Sequence, residues 1–217
     1  MSEKFLYEPI ILWAIGRAAS GKSTFANIAE EECKLASIAA QSFSDEKLLF
    51  KIIDEDTNHE HHYHPYGDKR FLFKTNYPFD EGIRQINMAV RQLLIAPPEK
   101  PFVTIIELAR GRSHGIMDVS FARAFSLIDP NIIGHSHFFY IQSSWNQQLE
   151  RNRARGTGGE PHTPESVMLD LYSEDDFNDV QSLLPFEVVE NTADLDSFKS
   201  DIRLRIQRII NEYMRDF

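Results

Sequence analysis

Cysteine is almost missing from this sequence of 217 residues, which contains Cys33 alone. A single cysteine excludes an intramolecular disulfide framework and a zinc site built on four cysteines, and it fits a reducing, intracellular setting. No stretch approaches the roughly 18 consecutive apolar residues of a membrane-spanning helix. Residues 1–5 also lack the basic and apolar segments of a secretory signal. We therefore expect a cytoplasmic protein that has no membrane partner.

Positive charge is scarce as well. The 23 lysines and arginines are outnumbered by 33 aspartates and glutamates, which gives a formal net charge of −10. General affinity for nucleic acid or for an anionic membrane requires a positive surface. We expect no nucleic-acid partner, and any phosphate-bearing ligand must be held by local cations. The length suits one α/β domain, residues 1–217, with a mobile flap.

A nine-residue stretch from Gly16 to Thr24 matches the phosphate-loop pattern G-x-x-x-x-G-K-[ST] at every fixed position. Gly16 and Gly21 allow the backbone to turn its N–H groups toward a phosphate. Lys22 supplies a charge for the outer phosphates, and the Ser23 hydroxyl is a ligand for Mg²⁺. The pattern predicts a nucleotide cofactor bound by Gly16, Ala18, Ala19, Ser20, Gly21, Lys22, Ser23 and Thr24.

Apolar segments alternate with helical patterns along the rest of the chain. We predict strands at Ile10–Ile15, Ala36–Phe43, Phe102–Ile106, His137–Ile141 and Phe186–Val189. Strands separated by helices favour a mainly parallel sheet that is covered on both faces. Ligands of such sheets bind beyond the carboxyl ends of the strands. Asp45, the segment Glu107–Arg112 and Asn191 all fall at these ends.

The segments between the main elements are less regular. We interpret residues 54–69 as a polar loop, and residues 70–74 fit either a strand or a loop. After a helix from Ser144 to Arg155, the glycines of residues 156–159 predict a break. We expect Thr163 to cap the next helix, with Pro164 in its first turn.

Four features together resemble those of the P-loop kinases of small molecules, which include nucleoside and nucleotide kinases. They are the phosphate loop, the acid after the third strand, the arginine-bearing helix before a Gly-rich flap, and Glu190-Asn191-Thr192 at the end of the last strand. The resemblance implies a three-layer P-loop NTPase fold with a five-stranded, mainly parallel sheet and a helical lid. It also implies ATP and Mg²⁺ as cofactors, and phosphoryl transfer to a small acceptor.

Two carboxylates acquire roles from this resemblance. Glu107 would hold Mg²⁺ or act as the catalytic carboxylate, although an acid that merely closes a strand is the plainer interpretation. Asp45 would face the acceptor as a general base. Ser44-Asp45-Glu46 also fits the start of a helix, where acidic side chains interact favourably with the helix dipole. The two residues could exchange these roles, and the sequence leaves the choice open.

Arginines acquire roles in the same way. Arg110 and Arg112 would bind the acceptor or a phosphate, with solvated loop charges as the alternative. Arg151 and Arg155 share a helix face and resemble lid arginines that close over the phosphates, with an exposed basic helix end as the alternative. The lid would span residues 151–172.

Two further features carry weaker signals. Asn191 resembles a residue that contacts adenine. Residues 54–78 would form an acceptor-side region, and their histidines His59, His61, His62 and His64 favour a loop near the acceptor over a metal site, because no cysteine or rigid frame is nearby.

The leading hypothesis is an ATP-dependent kinase of a small metabolite, with a nucleoside or nucleotide as the favoured acceptor. The alternative is an ATP-binding sensor that phosphorylates nothing. A GTPase is disfavoured because the sequence has no Asn-Lys-x-Asp motif, and a transporter ATPase because it has no Leu-Ser-Gly-Gly signature. The acidic charge also counts against a nucleic-acid acceptor. The sequence does not indicate an oligomeric state.

Overall fold

Five parallel strands form the central sheet of the protein. A computed structural model describes residues 7–55, 63–65, 71–112, 117–158, 162–191 and 194–215. The strands, in chain order, are β1 (Ile10–Gly16), β2 (Ala39–Ser44), β3 (Tyr63–Pro65), β4 (Phe71–Phe73), β5 (Phe102–Ala109), β6 (Ser136–Gln142) and β7 (Phe186–Glu190). The order across the main sheet is β2-β5-β1-β6-β7, and every neighbouring pair in it is parallel. The predicted five-stranded parallel sheet is confirmed.

Strand β1 lies at the centre of this sheet and is buried along its whole length. Because side chains alternate along a strand, Leu12 and Ala14 enter the core on one face. Ile11, Trp13 and Ile15 enter the core on the other face. A continuous apolar run is what burial on both faces requires.

Helices cover both faces of the sheet. They are α1 (Lys22–Leu35), α2 (Asp45–Glu55), α3 (Tyr77–Ile95), α4 (Phe121–Leu127), α5 (Pro130–Ile133), α6 (Trp145–Thr157), α7 (Glu165–Tyr172), α8 (Phe177–Val180) and α9 (Leu195–Arg215). Helices α1 and α9 pack on one face, through residues such as Phe25 and Ile202. Helices α3 and α4 cover the other face, where Ile83 and Phe121 are buried. Within the described ranges, no helix is long and apolar enough to span a membrane.

Two predicted strand boundaries differ from the structure by three residues, and the others by no more than one. Strand β2 begins at Ala39 and not at Ala36, because α1 continues to Leu35 and is followed by a turn in which Ser37 has a φ of 58°. Strand β5 continues three residues beyond the apolar run that ends at Ile106. Backbone pairing does not require apolar side chains, and Glu107 pairs in register with both Ala14 and Ser44. Glu107 therefore lies within the strand.

The connecting segments also differ in part from expectation. Strands β3 and β4 form an antiparallel pair, so the segment predicted as a polar loop contains a strand. His59, His61 and His62 lie outside the described residues, and the side chain of His64 is not described. The N-cap of α7 is Pro164 and makes no side-chain cap, so the predicted Thr163 cap is wrong. In contrast, Ser144 caps α6 in a capping box with Gln147.

Candidate functional site

The loop between β1 and α1 has the backbone that the glycine pattern predicts. Gly21 has a φ of 115°, and Ala19 also lies in the left-handed region at 59°. A Cβ atom at Gly21 would collide with the side-chain amide of Asn191. Gly21 is therefore required both by its torsion angles and by the close approach of the segment that follows β7.

A pair of polar side chains holds this loop from outside. The carbonyl oxygen of Ser20 accepts hydrogen bonds from Asn191 Nδ2 at 2.7 Å and from Arg151 Nη1 at 3.4 Å. The second guanidinium nitrogen, Nη2, of Arg151 also donates to Asn191 Oδ1 at 3.0 Å. Both residues therefore contact the loop backbone, and neither lines the cleft described below.

We expect Asn191→Ala to lower the free energy of unfolding by about 1–3 kcal/mol. The reason is that the substitution removes a buried amide and weakens the pairing of the Ser20 carbonyl. Urea denaturation measures the loss, with Asn178→Ala, at an exposed position in α8, as the control. Equal stability of the two variants would show that Asn191 does not brace the loop.

Lys22, the first residue of α1, is a buried cation. Its side chain is only 7% exposed, and Nζ donates to the carbonyl oxygen of Arg17 at 2.7 Å. Burial lowers the pKa of Lys22, whereas the nearby Asp45 and Glu107 act in the opposite direction. A desolvated ammonium group in this position gains strongly from an anionic ligand.

Ser23 and Glu107 form the adjacent part of the site. Ser23 Oγ donates to Glu107 Oε2 at 2.6 Å. Burial raises the pKa of Glu107, and Asp45 adds to this effect, while the Ser23 hydrogen bond and Lys22 oppose it. A hydroxyl and a carboxylate in contact are the hard oxygen donors that suit Mg²⁺, so these two residues could hold that ion. In the described parts of the chain, no group of three or more His, Cys, Asp or Glu residues could hold a metal ion.

Asp45 and Arg110 form a buried ion pair. Asp45 Oδ2 accepts hydrogen bonds from Arg110 Nη1 at 3.0 Å and from the Ala109 backbone N–H at 2.5 Å. The guanidinium group of Arg110 also donates to the carbonyl oxygens of Ala109 and Phe79, and it lies over the Phe79 ring. Arg110, predicted to bind substrate, is thus 3% exposed and enclosed by protein groups.

A cleft that is partly open to solvent lies beside the phosphate loop. It brings together eight of the residues that the sequence selected. Those eight are Ala18, Ala19, Gly21, Lys22, Ser23, Asp45, Glu107 and Arg155. Arg110, Arg112, Arg151 and Asn191 do not line it, and the exposed Arg112 is tied through its backbone N–H to the carbonyl of Glu174.

Sequence reasoning missed Arg17, which occupies a variable position of the loop motif. Its guanidinium group donates to the carbonyl oxygens of Ser173 at 2.8 Å and Ser143 at 3.3 Å. The same group pairs with Asp175 and lies over the Trp145 ring. Arg17 therefore ties the phosphate loop to the segments that flank α6 and α7. The motif assigns no residue type to this position, so no sequence signal marks it.

Half of the predicted lid is packed against the body of the protein. The residues Val167, Met168, Leu171 and Tyr172 of α7 are buried in one cluster with Phe79 and Val119. Gly111 lies so close to the Leu171 carbonyl that a Cβ atom would collide with it. The other half contributes Arg155 of α6 to the cleft, together with His162. Residues 159–161 lie outside the described ranges.

Comparison with known proteins identifies the fold. No protein-family model matches the sequence, and no curated protein matches it. Among solved structures, an APS kinase from Mycobacterium tuberculosis in complex with AMPPNP and APS has a TM-score of 0.54 at 14% identity, over 94% of this chain and 97% of that chain. A gluconokinase from Sinorhizobium meliloti 1021 has a TM-score of 0.53 at 14% identity, over 97% and 99% of the two chains. The protein has the fold of the P-loop small-molecule kinases, as the resemblance implied.

Proposed function

We propose that the protein is a kinase that transfers the γ-phosphoryl group of ATP, with Mg²⁺, to a hydroxyl group of a small metabolite. One observation carries the proposal. The cleft does not end at the phosphate loop: it continues past Asp45 and Glu107 along α2, with Phe73 and α7 as further walls. A protein that only binds nucleotide has no need of this further part of the cleft, whereas a kinase requires it for the acceptor.

The nucleotide phosphates would lie on the loop. Backbone N–H groups of residues 16–21 and the start of α1 form a site for anions. Lys22 would neutralise the outer phosphates, and Arg155, which lines the same cleft, would add a second cation as charge develops on the transferred group. Closure around Arg155 would exclude water, which limits wasteful hydrolysis of ATP.

Ser23 and Glu107 would hold Mg²⁺, and Asp45 would position the acceptor. When bound, the ion neutralises charge on the phosphate oxygens. In the transfer, the acceptor oxygen forms a bond to the γ-phosphorus while the bond between this phosphorus and the β,γ-bridging oxygen breaks. The hydroxyl proton passes to a carboxylate of the cleft, and we assign this task to Asp45, whose position is set by Arg110 and the Ala109 N–H.

The affinity for Mg²⁺ should fall as the pH is lowered, and the fall should begin at a pH above the usual glutamate pKa of about 4.3. The pKa of Glu107 is raised, so protons compete with Mg²⁺ for this carboxylate at higher pH than for an ordinary glutamate. Calorimetric titration of Mg²⁺ into the AMPPNP-bound protein at several pH values measures the effect. Glu107→Gln should weaken binding and reduce the pH dependence to the part that the terminal phosphate of the nucleotide contributes. Glu212→Gln, at an exposed position in α9, should change neither. A pH dependence in Glu107→Gln equal to that of the unmodified protein would assign the ion to other groups.

The experiment that tests the proposed function is a screen for acceptor-dependent release of ADP. Purified protein is incubated with Mg²⁺ and ATP against a panel of small hydroxyl compounds. Stimulation by one acceptor supports the kinase. Tight binding of nucleotide without stimulation by any member of a broad panel would overturn the kinase in favour of an ATP-binding sensor.

A further inference from the structure

One face of helix α2 forms a wall of the cleft, and its character changes along the helix. Asp45, Glu46, Leu49, Phe50 and Ile53 all line the cleft. Their spacing of one, three, one and three residues keeps them on the same side of the helix. The two acids stand at the end nearest Glu107 and the phosphate loop, and the three apolar residues follow. The wall is therefore acidic near the reacting groups and apolar farther away.

The apolar part of this wall is accessible to a ligand. The side chain of Phe50 is 40% exposed, although it lines a concave site. Phe73 of β4, together with Pro164 and Val167, contributes further apolar surface to the same cleft. Aromatic and aliphatic walls around a few polar groups are typical of sites that bind the apolar body of a small molecule.

The charges of the described lining residues disfavour an anionic acceptor. Under the proposed function, Glu107 is committed to Mg²⁺, and the two described cations of the lining, Lys22 and Arg155, are committed to the nucleotide phosphates. Asp45 is paired with Arg110, so among the described lining residues Glu46 is the charged group that is left to face the acceptor. Arg110, the nearby arginine that would otherwise bind a carboxylate or phosphate, is committed to Asp45 and to two carbonyl oxygens. An acceptor with a carboxylate or phosphate group would meet the negative charge of Glu46, and no described lining cation is left to offset it.

We propose that the acceptor is a hydroxyl compound that carries no negative charge and has an apolar or aromatic body, bound along α2. This inference rests on the proposed kinase activity. The hydroxyl group of the acceptor lies at Asp45, and the body of the acceptor packs against Leu49, Phe50 and Phe73. Unphosphorylated nucleosides, aromatic alcohols and amino alcohols belong to this class, whereas nucleotides and sugar acids do not.

The inference is tested with matched pairs of acceptors that differ only in charge, such as a nucleoside and its 5′-monophosphate, or an aromatic alcohol and its carboxylate analogue. We expect the uncharged or cationic member of the preferred pair to give a kcat/KM at least about tenfold higher, because like charges oppose binding of the anion.

Two variants locate the effect on α2. Phe50→Ala should raise the KM for the acceptor by roughly ten- to a hundredfold without changing the KM for ATP. Its control is Met88→Ala, which changes an exposed apolar residue of α3 outside the cleft.

Glu46→Arg should shift the preference toward the anionic member by about tenfold. The matching control is Asp54→Arg, at an exposed position of α2 that does not line the cleft.

The outcomes separate this inference from the proposed function. Phosphoryl transfer that favours the anionic members of the pairs would overturn this inference but would still support the proposed kinase activity. If no compound is phosphorylated, the kinase fails, and calorimetry with the same pairs still tests the pocket. Binding of uncharged members that is lost in Phe50→Ala supports the proposed pocket, whereas preferential binding of the anions, or binding that Phe50→Ala does not change, contradicts it.

Discussion

Lys22→Ala is expected to reduce phosphoryl transfer by about 10³-fold, the magnitude associated with loss of one preorganised charge at a transferring phosphoryl group. The affinity for Mg·ATP should fall as well, because the Lys22 ammonium group is buried within the loop that binds the phosphates. Acceptor-dependent ADP release and calorimetry with Mg·ATP measure the two effects.

The fold should survive this substitution. The Lys22 side chain makes one hydrogen bond, to the Arg17 carbonyl, and its removal takes away a charge that burial disfavours. Circular dichroism and thermal denaturation check this point. Lys34→Ala, in the exposed last turn of the same helix, is the matched control and should behave as the unmodified protein does. Unchanged ATP affinity and turnover in Lys22→Ala would contradict the assigned role of the loop.

Asp45→Ala is expected to lower the free energy of unfolding by about 3–5 kcal/mol, because it leaves the guanidinium group of Arg110 buried without its counter-charge. The two side chains are 7% and 3% exposed, so the charge of Arg110 is poorly screened by solvent. Urea denaturation measures the change. Replacing both residues with apolar ones, as Asp45→Leu with Arg110→Met, should recover much of the loss, since the unpaired charge is then gone.

A surface ion pair provides the comparison for this prediction. Glu165→Ala removes the partner of Arg153, and both of these side chains are about half exposed, so we expect little change in stability. An equally small change for Asp45→Ala would show that the buried pair is not a determinant of the fold. A double variant no more stable than Asp45→Ala would show that packing, and not the unpaired charge, causes the loss.

Local sequence was sufficient to predict the phosphate loop and the class of the fold. The motif depends on residues within nine positions of one another, and the strand β1 and the helix α1 follow from the apolar run and the pattern around it. The alternation of strands and helices then restricts the topology to a parallel sheet with two covered faces. The carboxyl ends of β2 and β5 meet in this sheet, which is why Asp45 and Glu107 share a cleft.

The features of the site that the sequence did not predict depend on contacts between residues that are far apart in the chain. Arg110 follows a strand and was expected to bind substrate, yet its guanidinium group donates hydrogen bonds to Asp45 and to the Phe79 carbonyl oxygen. Asn191 and Arg151 contact the Ser20 carbonyl across most of the chain, and a charged or polar residue type does not reveal such a partner. The apolar wall of α2 was also hidden, because Phe50 fits an ordinary amphipathic helix until the cleft beside it is known.

The central claim is that the γ-phosphoryl group of ATP reaches a small acceptor in this cleft. ³¹P nuclear magnetic resonance of a reaction that contains ATP, Mg²⁺ and the preferred acceptor follows the phosphorus atom itself. We predict that the γ-phosphate resonance is replaced in equal amount by that of a phosphate ester of the acceptor, and that Lys22→Ala does not produce this ester. Formation of inorganic phosphate alone, or an unchanged ATP spectrum with an acceptor that binds, would contradict the claim.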